Sequence, residues 1–343
     1  MYTVVLDAMG GDFDPLIPVK AAILAVEGQD KLNVILTGPK DELTKLTHSL
    51  SSFPHDKISI VDAPEVIEMS ESPSKAFRKK KKSSIHVGLE LVKSKKADAF
   101  VSAGNTGAML TASTFILGRL PHVERPALAA VIPSIKAPFV MLDMGSNVDC
   151  KPSHIAQFSL MGHYFSELIL GTHKPRVGLL NIGEERDKGN ALTTESYSLL
   201  EKLPINFIGN IESKGLLNGV VDVLVCDGFV GNNILKFGEG AIKLFTSFFK
   251  KEAKRSIFSL IGLLLLRSSL KKFKSKFSYD NIGGAHFLGV DGVSIVAHGS
   301  ANEIALKNAI YTAVHSLETN ITQKISSAIL NFHIQSPSII NNE

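Results

Sequence analysis

The chain has 343 residues, enough for one large α/β domain or two intertwined subdomains around a sizeable core. Its 44% hydrophobic and 20% charged residues exclude global disorder, and a net charge of +4 is too mild to mark a nucleic-acid protein. Two cysteines, Cys150 and Cys226, exclude a disulfide framework and a cysteine-built zinc cage.

From the N-terminus, Tyr-Thr-Val-Val-Leu follows Met1 with no basic segment or apolar core, so no secretory signal is expected. Short β-branched runs then alternate with helical patterns. The expected strands are Thr3–Leu6, Asn33–Thr37, Ile58–Val61, Ala99–Ser102, Leu128–Ile132, Phe139–Asp143, Val177–Ile182, Asn206–Gly209, Val221–Cys226 and Ser294–His298. Several are apolar throughout, as strands buried on both faces must be, which points to a parallel sheet covered by helices. Between them Ile155, Phe158, Leu160, Met161, Tyr164 and Phe165 recur at helical spacing. The expectation is a three-layer α/β/α sandwich with ligands at the carboxyl ends of its strands. Residues 1–335 read as one catalytic unit, and 336–343 as a flexible tail.

Strand after strand ends in a loop of small polar residues. These are Asp7–Asp12, Ser102–Gly107, Asp143–Asn147, Asn181–Glu184, Asp227–Asn232 and His298–Ser300. Glycines let backbone N–H groups approach an anion, and a following helix adds its positive end. One such loop is an ordinary turn, but six suit a small dianion such as phosphate. Neither the P-loop pattern nor the GxGxxG dinucleotide fingerprint is present.

The segments LDAMGGD, SAGNTGA, DMGSNVDCKP, VGLLNIGEERDKGN, FIGNIE, DGFVGN, GGAHFLGV and AHGS occur in that order. In this the chain resembles the PlsX phosphate acyltransferases over roughly residues 2 to 325. Ser146 stands where that family commonly has Ala, and Ala301 where it often has a second Ser. The resemblance implies a fold like those of isopropylmalate dehydrogenases and phosphotransacetylases. Of these we expect the isocitrate/isopropylmalate dehydrogenase-like form, with two intertwined subdomains and a homodimer. It also implies a reaction in which a long-chain acyl group passes from acyl carrier protein to inorganic phosphate. The acyl phosphate would feed glycerol-3-phosphate acylation in phospholipid synthesis, with no cofactor and no metal. The alternative is a phosphotransacetylase-like enzyme acting on a short acyl-coenzyme A.

That chemistry must bind phosphate, stabilise an oxyanion and manage a leaving thiolate. Lys188 is the candidate cation, its ordinary reading being a solvated loop lysine. Asp227 is a base, an orienting carboxylate or a helix cap, and His298 a proton donor to the thiolate or merely a hydrogen-bonded strand-end histidine. Gly10, Gly11, Gly104, Asn105, Thr106, Gly107, Asp143, Asn147, Asn190 and Asn232 are the expected phosphate- or substrate-binding residues. Neither cysteine sits in a nucleophile signature, so both read as structural.

Two stretches are basic. Arg78–Lys82 could steer the acidic face of acyl carrier protein, or be a solvated patch. Residues 240–278 mix lysines with apolar runs. Ile234, Phe237, Ala241, Leu244, Phe245 and Phe248 share a helical face suited to a core or dimer interface. Further on, Phe258, Leu260, Ile261, Leu263, Leu264 and Leu265 suit contact with an anionic membrane surface. The run Ile257 to Leu266 is about half the ~20 residues a span needs. The expected location is therefore cytoplasmic, held peripherally at the inner face of the cell membrane.

Overall fold

The computed structural model describes residues 1–50, 52–253, 255, 257–268, 270 and 283–335. The apolar runs form strands β1 (Tyr2–Asp7), β2 (Leu32–Gly38), β3 (Ile58–Asp62), β4 (Ala99–Ser102), β5 (Ala127–Ile132), β6 (Phe139–Leu142), β7 (Arg176–Asn181), β8 (Asn206–Glu212), β9 (Val223–Val225), β10 (Ala285–Leu288) and β11 (Val293–Val296). They make one sheet in the order β3-β2-β1-β4-β11-β10-β5-β6-β9-β7-β8. Strands β4, β6, β9 and β11 are buried along their whole length, as their unbroken apolar sequences require. Strand β10 is absent from the sequence-based expectation. It is four residues long and pressed between Gly283-Gly284 and Gly289, which read as turn.

Three antiparallel pairings in the middle of the sheet determine the layout. Strands β3, β2, β1, β4 and β11 are mutually parallel. Strand β10 then runs antiparallel to β11, β5 antiparallel to β10, and β6 antiparallel to β5. Beyond β6, strands β9, β7 and β8 are parallel to it. The sheet is thus two parallel blocks pointing in opposite directions, and their carboxyl ends emerge at opposite edges.

Helices cover both faces. On one lie α1 (Leu16–Gly28), α2 (Lys40–His48), α6 (Pro152–Leu168), α7 (Ala191–Leu200), α10 (Glu303–Glu318) and α11 (Ile321–Gln335). On the other lie α3 (Pro73–Lys79), α4 (Ser84–Lys93), α5 (Thr106–Ala112) and the start of α8 (Gly228–Ala253). Helix α9 (Ile257–Leu265) follows α8. Side-chain caps set several starts: Asn105 for α5, Asn190 for α7 and Asn302 for α10 each accept a backbone N–H three residues on, at 2.9 to 3.0 Å. Among the described residues no helix is long and apolar enough to cross a membrane. The expected tail at 336–343 lies outside the described residues.

Candidate active site

At the carboxyl edge of the first block three loops interlock. Asp7 ends β1 fully buried, and its carboxylate accepts from Met9 N (2.9 Å), Gly10 N (3.1 Å) and Ser102 Oγ (2.7 Å). Burial pushes the Asp7 carboxyl up, while its hydroxyl and backbone donors pull it down. Ser102 Oγ in turn accepts from Gly104 N at 2.9 Å. A Cβ on Gly10 would lie 2.6 Å from both Asp7 Oδ2 and Gly104 N, so glycine is needed where the two loops meet. Asp12 N donates to Gly299 O at 2.7 Å, which joins the His298 loop to the same cluster. The sequence reading placed Ser102 in the Ser102–Gly107 loop but gave it no role of its own, because a serine closing a strand carries no distinguishing pattern.

Asn105 is buried and committed to structure. Its Oδ1 caps α5 and its Nδ2 donates to Met69 O (3.0 Å) and Glu71 O (3.1 Å), clamping the loop before α3. Gly11 and Gly107 line the same cluster half-exposed, and Thr106 is exposed beside them. His298 is exposed, and its Nδ1 accepts the backbone N–H of Ser300 at 3.2 Å, with Ser300 Oγ at 2.8 Å. The neutral ring therefore carries its proton on Nε2. An N–H placed this way can donate to a developing oxyanion or a departing thiolate.

The other edge gathers the loops after β6, β7 and β9. Asp143 is fully buried and accepts four N–H groups: Leu128 N (3.1 Å), Ser146 N (3.0 Å), Asn147 N (2.6 Å) and Asn147 Nδ2 (2.8 Å). Burial pushes this carboxyl up and those donors oppose it. Asn147 also donates to Pro126 O at 2.8 Å. Asp227 Oδ1 accepts from Val230 N at 2.9 Å, which is the helix-cap reading of that residue. The start of α8 presses on the Asp143 loop, since a Cβ on Gly231 would fall 1.9 Å from Asp143 O. Asn232 is exposed on the first turn of α8, beside Gly145.

In the loop after β7, Lys188 is exposed and its carbonyl accepts from Asn181 Nδ2 at 2.9 Å. Asn190 spends its side chain capping α7. The structure thus groups Lys188, Asp227, Asp143, Asn147, Asn190 and Asn232 at one edge. It groups Gly10, Gly11, Gly104, Asn105, Thr106, Gly107 and His298 at the other.

Neither cysteine is poised for attack. Burial, then the charge of Asp143, pushes the Cys150 thiol up to about 12, and burial raises Cys226 as well. Of the basic run, Lys80 bonds Glu71 and Val66 O, while Arg78, Lys79, Lys81 and Lys82 are exposed. Lys81 Nζ sits 4.0 Å over the Phe77 ring, which stacks on Phe115, itself 73% exposed. Phe237, Leu244, Phe245 and Phe248 on α8 are all more than half exposed, so within one chain this face is not core. On α9, Phe258, Leu264 and Leu265 are exposed too; the side chains of Leu260, Ile261 and Leu263 and all of 271–282 lie outside the described residues.

A family model described as "Fatty acid synthesis protein" matches residues 2–324. The chain is 47% identical over 333 residues to the phosphate acyltransferase of Pelotomaculum thermopropionicum, covering 97% of this chain and 96% of that one. It is 45% identical over 330 residues to the phosphate acyltransferase of Clostridium novyi, covering 95% and 98%. Among solved structures, a EutD phosphotransacetylase from Staphylococcus aureus superposes with a TM-score of 0.59 at 16% identity, over 92% of this chain and 94% of that one. The expected isocitrate/isopropylmalate dehydrogenase-like fold is therefore corrected to that of the phosphotransacetylases. Alternating buried strands and helices specify a layered sheet but not the order or reversal of its strands, so the pattern could not separate the two. With a family model matched over residues 2–324 and 45–47% identity over nearly the whole of both chains, the chain belongs to the phosphate acyltransferase family.

Proposed function

We propose that this protein transfers a long-chain fatty acyl group from acyl carrier protein to inorganic phosphate, giving an acyl phosphate for glycerol-3-phosphate acylation in phospholipid synthesis. The observation that carries the reading is the 45–47% identity, over nearly the whole chain, with proteins named for acyl transfer to phosphate. In this reading a phosphate oxygen attacks the thioester carbonyl, the C–S bond breaks, and the carrier leaves as thiolate. His298 Nε2–H stabilises the negative charge, first on oxygen and then on sulfur, and its exposure lets solvent restore the proton. Lys188 supplies the cation for phosphate, brought to the edge that holds Gly10, Gly104 and His298 by a second protomer, since its own loop leaves the sheet at the opposite edge. Asp143, Asn147, Asn105 and Asn190 hold these loops in place through the hydrogen bonds described above.

The exposed basic face of α3, with Phe77 and Phe115 beside it, supports docking of an acidic carrier protein. The exposed aromatic face of α8 supports a homodimer, and the apolar residues of α9 support contact with an anionic membrane surface in the cytoplasm. The test is phosphate-dependent thiol release from palmitoyl-acyl carrier protein, with the acyl phosphate trapped by hydroxylamine and acetyl-coenzyme A run in parallel. Activity on acetyl-coenzyme A alone would move the protein to short-chain phosphotransacetylation, and no release from either would sink the reading.

A further inference from the structure

Helix α5 leaves the Asn105–Thr106 loop of the candidate site and runs without a break into a π-helical turn, Ser113–Leu117. Such turns are frequent at functional sites. This one is pinned from inside. Ile116 and Leu117 are buried, Ser113 Oγ meets Ser294 Oγ of β11 at 2.9 Å, and Lys93 Nζ of α4 donates to Leu117 O at 2.8 Å. Of the three apolar residues in the turn only Phe115 points outward, 73% exposed among the described residues.

The exposed ring is held in place. It stacks on Phe77 of α3 with centroids 5.6 Å apart and planes 24° from parallel. Phe77 stacks in turn on His86 of α4 at 5.4 Å and carries Lys81 Nζ 4.0 Å from its centroid. A side chain fixed this way loses little freedom when a partner covers it. Around it α3 and the residues after it expose Lys75, Arg78, Lys79, Lys81 and Lys82. The nearby acids are already engaged: Glu71 bonds Lys80, and Glu65 Oε2 accepts from Lys82 N at 2.7 Å. An ordered aromatic ring inside a positive rim has the anatomy of a binding hot spot for a negatively charged partner.

Three occupants can be weighed. A second copy seated here about a two-fold axis would set this basic run against its like, which is unfavourable. A bilayer surface calls for an apolar run, and α9 offers one where this face offers a single outward ring. An acidic protein matches both the charge and the ring. Place favours it too, because the helix rises only roughly 13 Å from Thr106 to Phe115. A protein docked on Phe115 therefore stands beside the edge that holds Gly10, Gly104 and His298. We propose that Phe115 is the anchor on which an acidic acyl carrier protein docks, the basic rim steering its approach and the ring fixing its seat. This rests on the reading above that the donor is carrier-borne. It goes further by making one residue distinguish a thioester on the carrier from the same thioester on coenzyme A, which brings no protein surface to dock.

The experiment uses the full-length protein as wild type, Phe115→Ser and Phe115→Trp. Titration calorimetry gives the affinity for holo-acyl carrier protein, and turnover gives KM for palmitoyl-acyl carrier protein, palmitoyl-coenzyme A and phosphate. In Phe115→Ser the carrier affinity should fall about tenfold or more, with a matching rise in KM for palmitoyl-acyl carrier protein. KM for palmitoyl-coenzyme A and for phosphate should not move, and Phe115→Trp, which keeps a ring, should hold the wild-type values. Carrier affinity unchanged in Phe115→Ser overturns the proposal, and so does an equal rise in KM for all three substrates. Dissociation of the oligomer in Phe115→Ser, read by sedimentation, would seat a second copy on the ring and also overturns it, as does selective loss of binding to anionic vesicles. An unchanged carrier affinity in an enzyme that still releases thiol from palmitoyl-acyl carrier protein removes the anchor and leaves the reaction. Carrier binding that depends on Phe115 in a protein inert toward palmitoyl-acyl carrier protein upholds the surface and removes the reaction.

Discussion

Replacing His286 with Leu should make the protein less sensitive to acid, by an amount that follows from the residue's burial. The imidazole is packed edge-on against Phe165, with ring centroids 4.8 Å apart, and burial depresses its pKa from 6.5 to about 3, with the nearby His315 adding to the effect. The folded state therefore binds fewer protons than the unfolded chain between these values, and stability falls as pH drops through that window. Each pH unit below about 6.5 removes roughly 1.4 kcal/mol until the folded pKa is reached. At about pH 4.5 the wild type should have lost about 2.7 kcal/mol from this residue, a loss that a leucine at the same position cannot incur. Near pH 7 the two proteins should lie within about 1.5 kcal/mol, since the Leu side chain loses one net hydrogen bond but also removes an unpaired acceptor. Urea unfolding of both proteins at about pH 7, 5.5 and 4.5 measures the difference directly, and terms from Asp7 and Asp143, whose raised carboxyl pKa values act in the opposite direction, cancel between them. A wild-type-to-variant difference that stays flat across this range would refute a neutral buried His286.

Lys188→Ala should lower turnover about 100-fold or more while leaving the thermal midpoint unchanged, because the side chain is exposed; full activity in the folded variant would remove Lys188 from the reaction. Cys150→Ser should keep near-wild-type activity, and no acyl-enzyme should be trapped by acid quench, because a thiol held at about 12 is not a nucleophile at neutral pH. Converting Lys79 and Lys81 to Glu should raise KM for acyl carrier protein and flatten its salt dependence, with KM for phosphate unmoved; equal effects on both substrates would argue against a docking face. Lys188 and His298 emerge at opposite edges of the sheet, so one reaction centre in a two-fold dimer can draw one from each protomer. Refolding Lys188→Ala with His298→Ala as an equal mixture should then restore about one quarter of wild-type activity, and a mixture no better than either parent would place both residues within one chain's site.

The fully buried strands were legible because an apolar run such as Val223–Val225 admits no reading other than a covered strand. Loop positions were equally legible, since glycine and asparagine mark the ends of strands whatever else they do. The roles of the loop residues were not. Asn105, Asn190 and Asp227 suit an anion site and a helix cap equally well by composition, and the structure spends all three on caps. Their value to a phosphate site is indirect, through the turn each one fixes. Ser102 and His286 lie in the SAGNTGA and GGAHFLGV segments, yet sequence assigned neither a role of its own: their hydrogen-bond partners, Asp7 and Ser316, are 95 and 30 residues away.

The reversal of the sheet shows the limit most sharply. In a uniformly parallel sheet six glycine-rich strand ends would face one ligand, and the sequence pattern reads as such a sheet. The antiparallel step from β5 to β6 overturns this, because β10, antiparallel to both β11 and β5, leaves β5 in the sense of the first block. Each later strand then inherits the opposite sense, so the Asp143, Lys188 and Asp227 loops leave the sheet away from the Gly10, Gly104 and His298 loops. The antiparallel step from β5 to β6 thus sets where the glycine-rich loops can meet a substrate.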